Sequence, residues 1–222
     1  MVPWRSSPRK RSALAPASFV DPCLPVLSHK APSGPLWIHE IKHDGYRLQI
    51  HKRGPRVALY TMTGVDWTAR FPWIVEGATA IKADAAIIDA EAIIADERGV
   101  SQFDKLGERI HDASAFAFAF DAMMIDGEDV RTLAIEERRA RLAIILQAKR
   151  RVKSYAQSGI QLSEHLECEG PLAYAQACLL GLEGIVSKRR GSSYRSGKCK
   201  AWLKTKNPRS AAVLRIMEGG LS

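Results

Sequence analysis

A lysine two residues after a glutamate is where chemistry first becomes possible in this chain. Residues 36–47 read Leu-Trp-Ile-His-Glu-Ile-Lys-His-Asp-Gly-Tyr-Arg. Polar and apolar residues alternate up to Asp44-Gly45, a pattern that predicts a strand running into a tight turn. Successive strand side chains take opposite faces, so Ile38, Glu40 and Lys42 project together. A lysine at the end of a half-buried strand either pairs with a carboxylate or uses its nitrogen chemically. Both readings stay open on these letters alone. Lys204 and Lys206, also two apart, reach the same space if their run is a strand, and two like charges side by side need an anion. Asp89 and Glu91 share a face of an otherwise apolar run, and a buried carboxylate there requires a metal, a hydroxyl or an arginine. Glu183 lies where a helix hands over to a strand. There it could face a cleft and help hold Mg²⁺, which takes one or two carboxylates together with phosphate oxygens and water.

Two other patterns fail on inspection. His39-Glu40-Ile41-Lys42-His43 has the letters of a zinc-protease H-E-x-x-H, which works only on a helix. With Pro35 upstream and Asp44-Gly45 downstream the run is too short for one, and on a strand the two histidines stand roughly 13 Å apart. Residues 191–198 imitate a phosphate-binding P-loop, but the glycine spacing is one too long and Cys199 stands where Ser or Thr belongs.

The elements that must position these residues follow from periodicity. Residues 46–52 and 56–62 flank Arg53-Gly54-Pro55, the grammar of a hairpin. Residues 72–83 have helical spacing with Pro near the first turn, and 85–95 form a long strand. Ser101 is expected to cap a short helix through Ile110. Residues 115–125 alternate Phe116, Phe118 and Phe120 with alanines, and turn at Asp126-Gly127. The clearest helix spans 135–151, with a basic face expected to be solvated. A brief strand at 161–164, a helix at 171–180 stopped by Gly181, and strands at 184–190 and 201–206 complete the pattern. Without a regular βαβ beat, the fold class expected is α+β, with largely antiparallel sheets flanked by helices.

Composition sets the bounds. The chain has 222 residues and a formal net charge of +9, which favours a polyanionic partner. From residue 184 to 217 no acid occurs, while Lys188, Arg189, Arg195 and other cations form a strip suited to phosphate backbones. Four scattered cysteines make no metal spacing and suit a reduced cytosolic protein. The basic, Pro/Ser-rich first 20 residues are expected to be a disordered arm rather than a signal peptide. No apolar run is long enough to span a membrane.

Taken in order, five pieces resemble one family. Glu40-Ile41-Lys42-His43-Asp44-Gly45-Tyr46-Arg47 resembles the E-x-K-x-D-G-x-R motif of covalent nucleotidyltransferases. Asp89-Ala90-Glu91 resembles D-G-E, and Phe120-Asp121 the aromatic-Asp pair. Glu183-Gly184-Ile185-Val186-Ser187-Lys188 resembles E-G-[IV]-V-x-K, and Trp202-Leu203-Lys204-Thr205-Lys206 resembles W-x-K-x-K. The set is similar to the adenylation domain of bacterial ATP-dependent DNA ligases of the end-joining type, a nucleotidyltransferase (ATP-grasp-like) fold spanning 21–208. The resemblance implies that Lys42, as a neutral amine, attacks ATP to form lysyl-AMP, and that AMP then passes to the 5′-phosphate of a DNA nick. It implies that Glu40 accepts from the adenine amino group and that Phe120 stacks on the ring, a contact worth on the order of 1–3 kcal/mol. Lys204 and Lys206 would hold the α-phosphate and lower the pKa of Lys42, Glu91 the ribose or metal, and Glu183 the metal, Mg²⁺ or Mn²⁺. Arg47, Lys188, Arg189 and Arg195 would meet DNA, with Arg47 also gripping nucleotide.

The pattern departs in three places. Met62 stands where the family's [ST]-R-[NT]-G carries arginine, and Ala90 replaces the glycine of D-G-E. Residues 209–222 are expected to be a short tail with no DNA-clamping OB-fold. The expectations are therefore a monomeric, cytosolic, nucleoid-associated ligase, slow or helped by an end-joining partner protein. The alternatives are a non-catalytic nucleotide- or DNA-binding remnant, and an RNA ligase or capping-type enzyme.

Overall fold

The computed structural model describes residues 18–147 and 158–219. Its strands are β1 (Cys23–Leu27), β2 (Trp37–Ile41), β3 (Tyr46–Arg53), β4 (Arg56–Thr61), β5 (Ala85–Ile93), β6 (Phe116–Ile125), β7 (Glu128–Asp129), β8 (Ile160–Leu162), β9 (His165–Leu166), β10 (Gly184–Arg189) and β11 (Gly197–Lys206). The α-helices are α1 (Pro72–Thr79), α2 (Phe103–Glu108), α3 (Ile135–Ile145), α4 (Gly170–Leu179) and α5 (Ala211–Gly219). One sheet has the order β1-β11-β10-β2-β9, the other β4-β3-β5-β6-β7 with β8 beside β6. Pairing is antiparallel except for β1 with β11 and β6 with β8.

Strand alternation gives each sheet two unlike faces. In the second sheet, Leu48, Ile50, Ile88, Ala90, Ala119 and Ala122 pack with Ile74 and Ala78 of α1 and Leu142 and Ile145 of α3. In the first sheet, Ile185 packs with Ala173 and Ala177 of α4. The remaining faces meet each other through Ile38 and Trp202 of one sheet and Ile87 and Met123 of the other. Charged residues that share those inner faces with this small apolar cluster are forced into the space between the sheets.

Asp44-Gly45 is the crossover from one sheet to the other, since β2 and β3 lie in different sheets. Gly45 is required there because a Cβ would collide with the Ala92 carbonyl oxygen of β5. Gly184, at φ 144°, likewise lies against the Thr205 carbonyl of β11.

Several sequence expectations need correction. Ser101 bridges Ala95 rather than capping α2, whose N-cap is Gln102 without a side-chain bond. On α3, Arg138 and Arg139 are 0% and 5% exposed, so that part of the basic face points inward. Residues 148–151 of the expected helix lie outside the described residues. The segment after β11 forms α5, and β1 is a strand that periodicity did not predict. Of the expected N-terminal arm, residues 18–20 lie against the body, where the Val20 amide donates to Gln49 Oε1 at 3.2 Å; residues 1–17 lie outside the described residues.

Candidate active site

The register of three neighbouring strands builds one wall of the site. Glu40 of β2 pairs with Val186 of β10, which pairs with Lys204 of β11. The next row in one direction is Ile38, Lys188 and Trp202. In the other, Gly184 pairs with Lys206, and its carbonyl accepts the Lys42 amide at 2.9 Å. Residues two apart on a strand share a face, so Lys42, Glu40, Lys204 and Lys206 emerge on one surface, as their spacing predicts. On the facing sheet, Arg47 pairs with Glu91 and Glu91 with Phe118.

Glu183 is the focus. Lys42 Nζ lies 2.6 Å from its Oε2, and Lys206 Nζ lies 2.8 Å from its Oε1. Burial raises the Glu183 carboxyl, but the two ammonium groups outweigh it and hold the carboxyl below the usual range. Lys42 and Lys206 thus meet across one shared carboxylate. Burial, with the charges of Lys42 and Lys206, lowers the Lys204 amine. The Glu91 carboxylate accepts no hydrogen bond among the described residues. Burial pushes its carboxyl up to about 7, against the pull of Lys42 and Arg47. Among the described residues no three or more His, Cys, Asp or Glu side chains form a metal cluster. His39 bonds Ser187 Oγ at 2.8 Å, and His43 stacks on Phe118 with ring centroids 4.2 Å apart, so the two histidines share nothing.

A second cluster surrounds Glu40. Arg139 Nη1 donates to Glu40 Oε1 at 2.6 Å, and Lys188 Nζ lies 2.8 Å from the same carboxylate. Both cations also donate to the Phe120 carbonyl, at 3.3 and 3.2 Å. The Lys188 ammonium lies 4.7 Å from the Phe120 ring centre and 4.2 Å from that of Trp202. This corrects the expectation for Lys188: at 1% exposure it faces inward and is not open to a DNA backbone, whereas Arg189 and Arg195 are exposed. Arg47 is likewise committed, its fork closing on Asp89 at 2.8 and 2.6 Å while Tyr194 Oη donates to the same carboxylate at 2.7 Å. A phosphate would have to compete with Asp89 for that guanidinium.

The far end of the site is closed by α5. Asn207 donates to the Glu183 carbonyl at 2.8 Å and the Leu182 carbonyl at 3.0 Å, turning the chain into the helix. Arg215 then bonds Asp44, lies 3.6 Å from Asp104 and stacks over Phe103. Beneath it lies a cavity of about 180 Å³ lined by Lys42, Asp44, Gln102, Glu183, Ser210 and Arg215. Sequence reasoning missed Arg139, Arg215 and His43. The signal available for Arg139 was a buried Glu40 that needed a cation.

Two sheets meet at a junction that carries Lys42, and solved structures of DNA ligases have this arrangement. The ligase domain of Mycobacterium tuberculosis LigD superposes with a TM-score of 0.72 at 28% identity, covering 83% of this chain and 60% of that one. A mycobacterial DNA ligase D complexed with ATP and MES gives 0.71 at 28%, covering 83% and 59%. Chlorella virus DNA ligase-adenylate, 15% identical with a TM-score of 0.59, shares the fold. The family described as ATP dependent DNA ligase domain matches residues 27–206, and the chain belongs to it. Among relatives, the multifunctional non-homologous end joining protein LigD of Pseudomonas aeruginosa is 34% identical over 191 residues, 85% of this chain. A probable DNA ligase of Streptomyces avermitilis is 33% identical over 205 residues, 83% of this chain. The chain spans only 22% and 39% of those two relatives.

Proposed function

We propose that this chain is the nucleotidyl-transferring part of an ATP-dependent DNA ligase acting on nicked or broken duplex ends in end joining. The observation that carries the reading is the convergence of Lys42 and Lys206 on one buried carboxylate at the junction of the two sheets. Lys42 must part from Glu183 and lose its proton before it attacks. Its Nζ then bonds the α-phosphorus of ATP as the bond to the β-phosphate oxygen breaks, and pyrophosphate leaves with that electron pair. In the second step a 5′-phosphate oxygen displaces the nitrogen, which regains a proton. In the third a 3′-hydroxyl displaces AMP, which closes the strand. Lys204 and Lys206 supply fixed positive charge to the α-phosphate, the main lever where charge gathers on phosphate oxygens. Glu40 and Phe120 take the adenine, and exposed Arg189 and Arg195 take the DNA backbone.

A divalent ion suits carboxylate oxygens, and Glu91 lies close enough to Glu183 for that charge to help raise its carboxyl. Glu183 and Glu91 are the carboxylates that would hold Mg²⁺ or Mn²⁺, with substrate phosphate oxygens completing a shell the protein alone does not provide. Such an ion would neutralise the phosphate oxygens. We place the reaction in the cytosol, and among the described residues no helix is long and apolar enough to cross a membrane.

Incubation with labelled ATP and Mg²⁺ tests the reading. An acid-labile covalent adduct is expected from the native chain and not from Lys42→Ala. Absence of any adduct leaves the non-catalytic nucleotide- or DNA-binding reading. Sealing of nicked DNA, compared with nicked RNA, separates a DNA ligase from an RNA ligase.

A further inference from the structure

Arg139 makes contacts that a surface arginine of an amphipathic helix has no reason to make. It leaves α3, is 5% exposed, and spreads its guanidinium between the two sheets. Nη1 holds Glu40 Oε1 at 2.6 Å and the Phe120 carbonyl at 3.3 Å. Nη2 holds the Ser163 carbonyl at 2.6 Å and lies 3.2 Å from His165 Nδ1. Glu40 belongs to β2 of one sheet and Phe120 to β6 of the other. One side chain thus ties the Glu40 carboxylate of one sheet to the Phe120 backbone of the other, the two residues proposed above to take the adenine.

We propose that Arg139 is a positioning residue that sets selectivity for adenine, by holding the Glu40 carboxylate at a fixed distance from Phe120. The inference rests on the nucleotidyl-transfer reading above. An ionised carboxylate only accepts hydrogen bonds, and it offers about four acceptor sites. Arg139 and Lys188 take two of them, and Ser163 Oγ lies near a third at 3.5 Å. A site that only accepts suits the 6-amino group of adenine, which donates. It rejects the 6-oxo group of guanine, because two acceptors are left facing each other without a proton. Removing Arg139 takes one cation from a carboxylate that is 3% exposed. Without the fork the carboxylate keeps only Lys188 and the Ser163 hydroxyl as partners and is free to turn off its line to the base, and the distinction between the two purines weakens. Lysine cannot reproduce the fork, since a single ammonium does not span the Glu40 carboxylate and the Ser163 carbonyl in one plane.

The readout is the ratio of Lys42 labelling rates from ATP and GTP, each with Mg²⁺. A ratio is independent of how much of a variant is folded, so a merely structural role leaves it unmoved. Arg139→Met is expected to lower the ATP/GTP ratio by about tenfold or more, with the loss on ATP carried mainly by KM. Arg139→Lys, which keeps the charge and burdens folding less, is expected to fall between Met and the native chain. Ratios within about twofold of native in both variants overturn the inference while leaving the nucleotidyl-transfer reading intact. A native chain labelled by neither nucleotide overturns both.

Discussion

Lys42 and Lys206 hold the same carboxylate from its two oxygens, at 2.6 and 2.8 Å from Glu183. Three charged groups from three stretches of the chain thus form one unit, and Lys42, the proposed nucleophile, is held as an ion pair. Glu183→Gln removes the negative charge that both ammonium groups face and takes away a carboxylate proposed to hold Mg²⁺. Lysine labelling from ATP is expected to fall by about 10²–10³-fold, the range for loss of one preorganised charge. Single-turnover kinetics at saturating ATP check this. A loss confined to KM would contradict it.

Arg138 and Asp121 make a bidentate pair at 2.7 and 2.8 Å with neither side chain exposed. Removing one partner strands the other charge in the interior. Arg138→Met is expected to cost about 3–5 kcal/mol of folding stability by urea unfolding. Arg138→Met with Asp121→Leu is expected to recover most of that loss.

His43 stacks on Phe118, and its Nδ1 is buried without a hydrogen-bond partner among the described residues. Burial, helped by Lys42, holds its pKa at about 4 rather than 6.5. The unfolded chain therefore binds a proton that the folded chain refuses. The stability tied to this residue is complete above pH 6.5 and is lost as pH falls from there toward 4. His43→Phe keeps a ring on Phe118 and has nothing to titrate. The native chain is expected to lose more stability than this variant between pH 6.5 and 4, by a few kcal/mol, in paired denaturant titrations. Equal losses would contradict the assignment.

Much of this site was legible in the sequence, and the reason is local. Period-two alternation fixes which side chains share a strand face. Glu40 with Lys42, and Lys204 with Lys206, were therefore placed correctly before any partner was known. The two-sheet arrangement was not legible. Asp44-Gly45 reads as an ordinary turn, and only the approach of Gly45 to Ala92 shows that the chain leaves one sheet for the other. Lys188 was misread because its cationic neighbourhood suggested a surface, whereas its strand face is set by pairing with Ile38 and Trp202. Arg139 meets Glu40 across 99 residues, a contact no local pattern encodes. The helix α5 was missed because its anchors, Asp44 in the turn after β2 and Asp104 in α2, are more than a hundred residues away in sequence.

Arg215 ties α5 to those two carboxylates while Ala212 and Val213 are buried beneath it. Arg215→Ala is expected to raise amide hydrogen exchange across residues 213–218 by about an order of magnitude, and to leave exchange in β5 and β6 unchanged. Unchanged exchange in α5 would show that its apolar contacts alone hold it.

The central claim is that the nitrogen of Lys42, rather than any neighbouring cation, becomes bonded to AMP. The direct measurement is peptide mass spectrometry of the native chain after brief exposure to ATP and Mg²⁺ under conditions that preserve a phosphoramidate. One AMP on the peptide that carries Lys42, with none on the peptides carrying Lys204 and Lys206, is the predicted result. AMP on either of those lysines, or on none of the three, would contradict it.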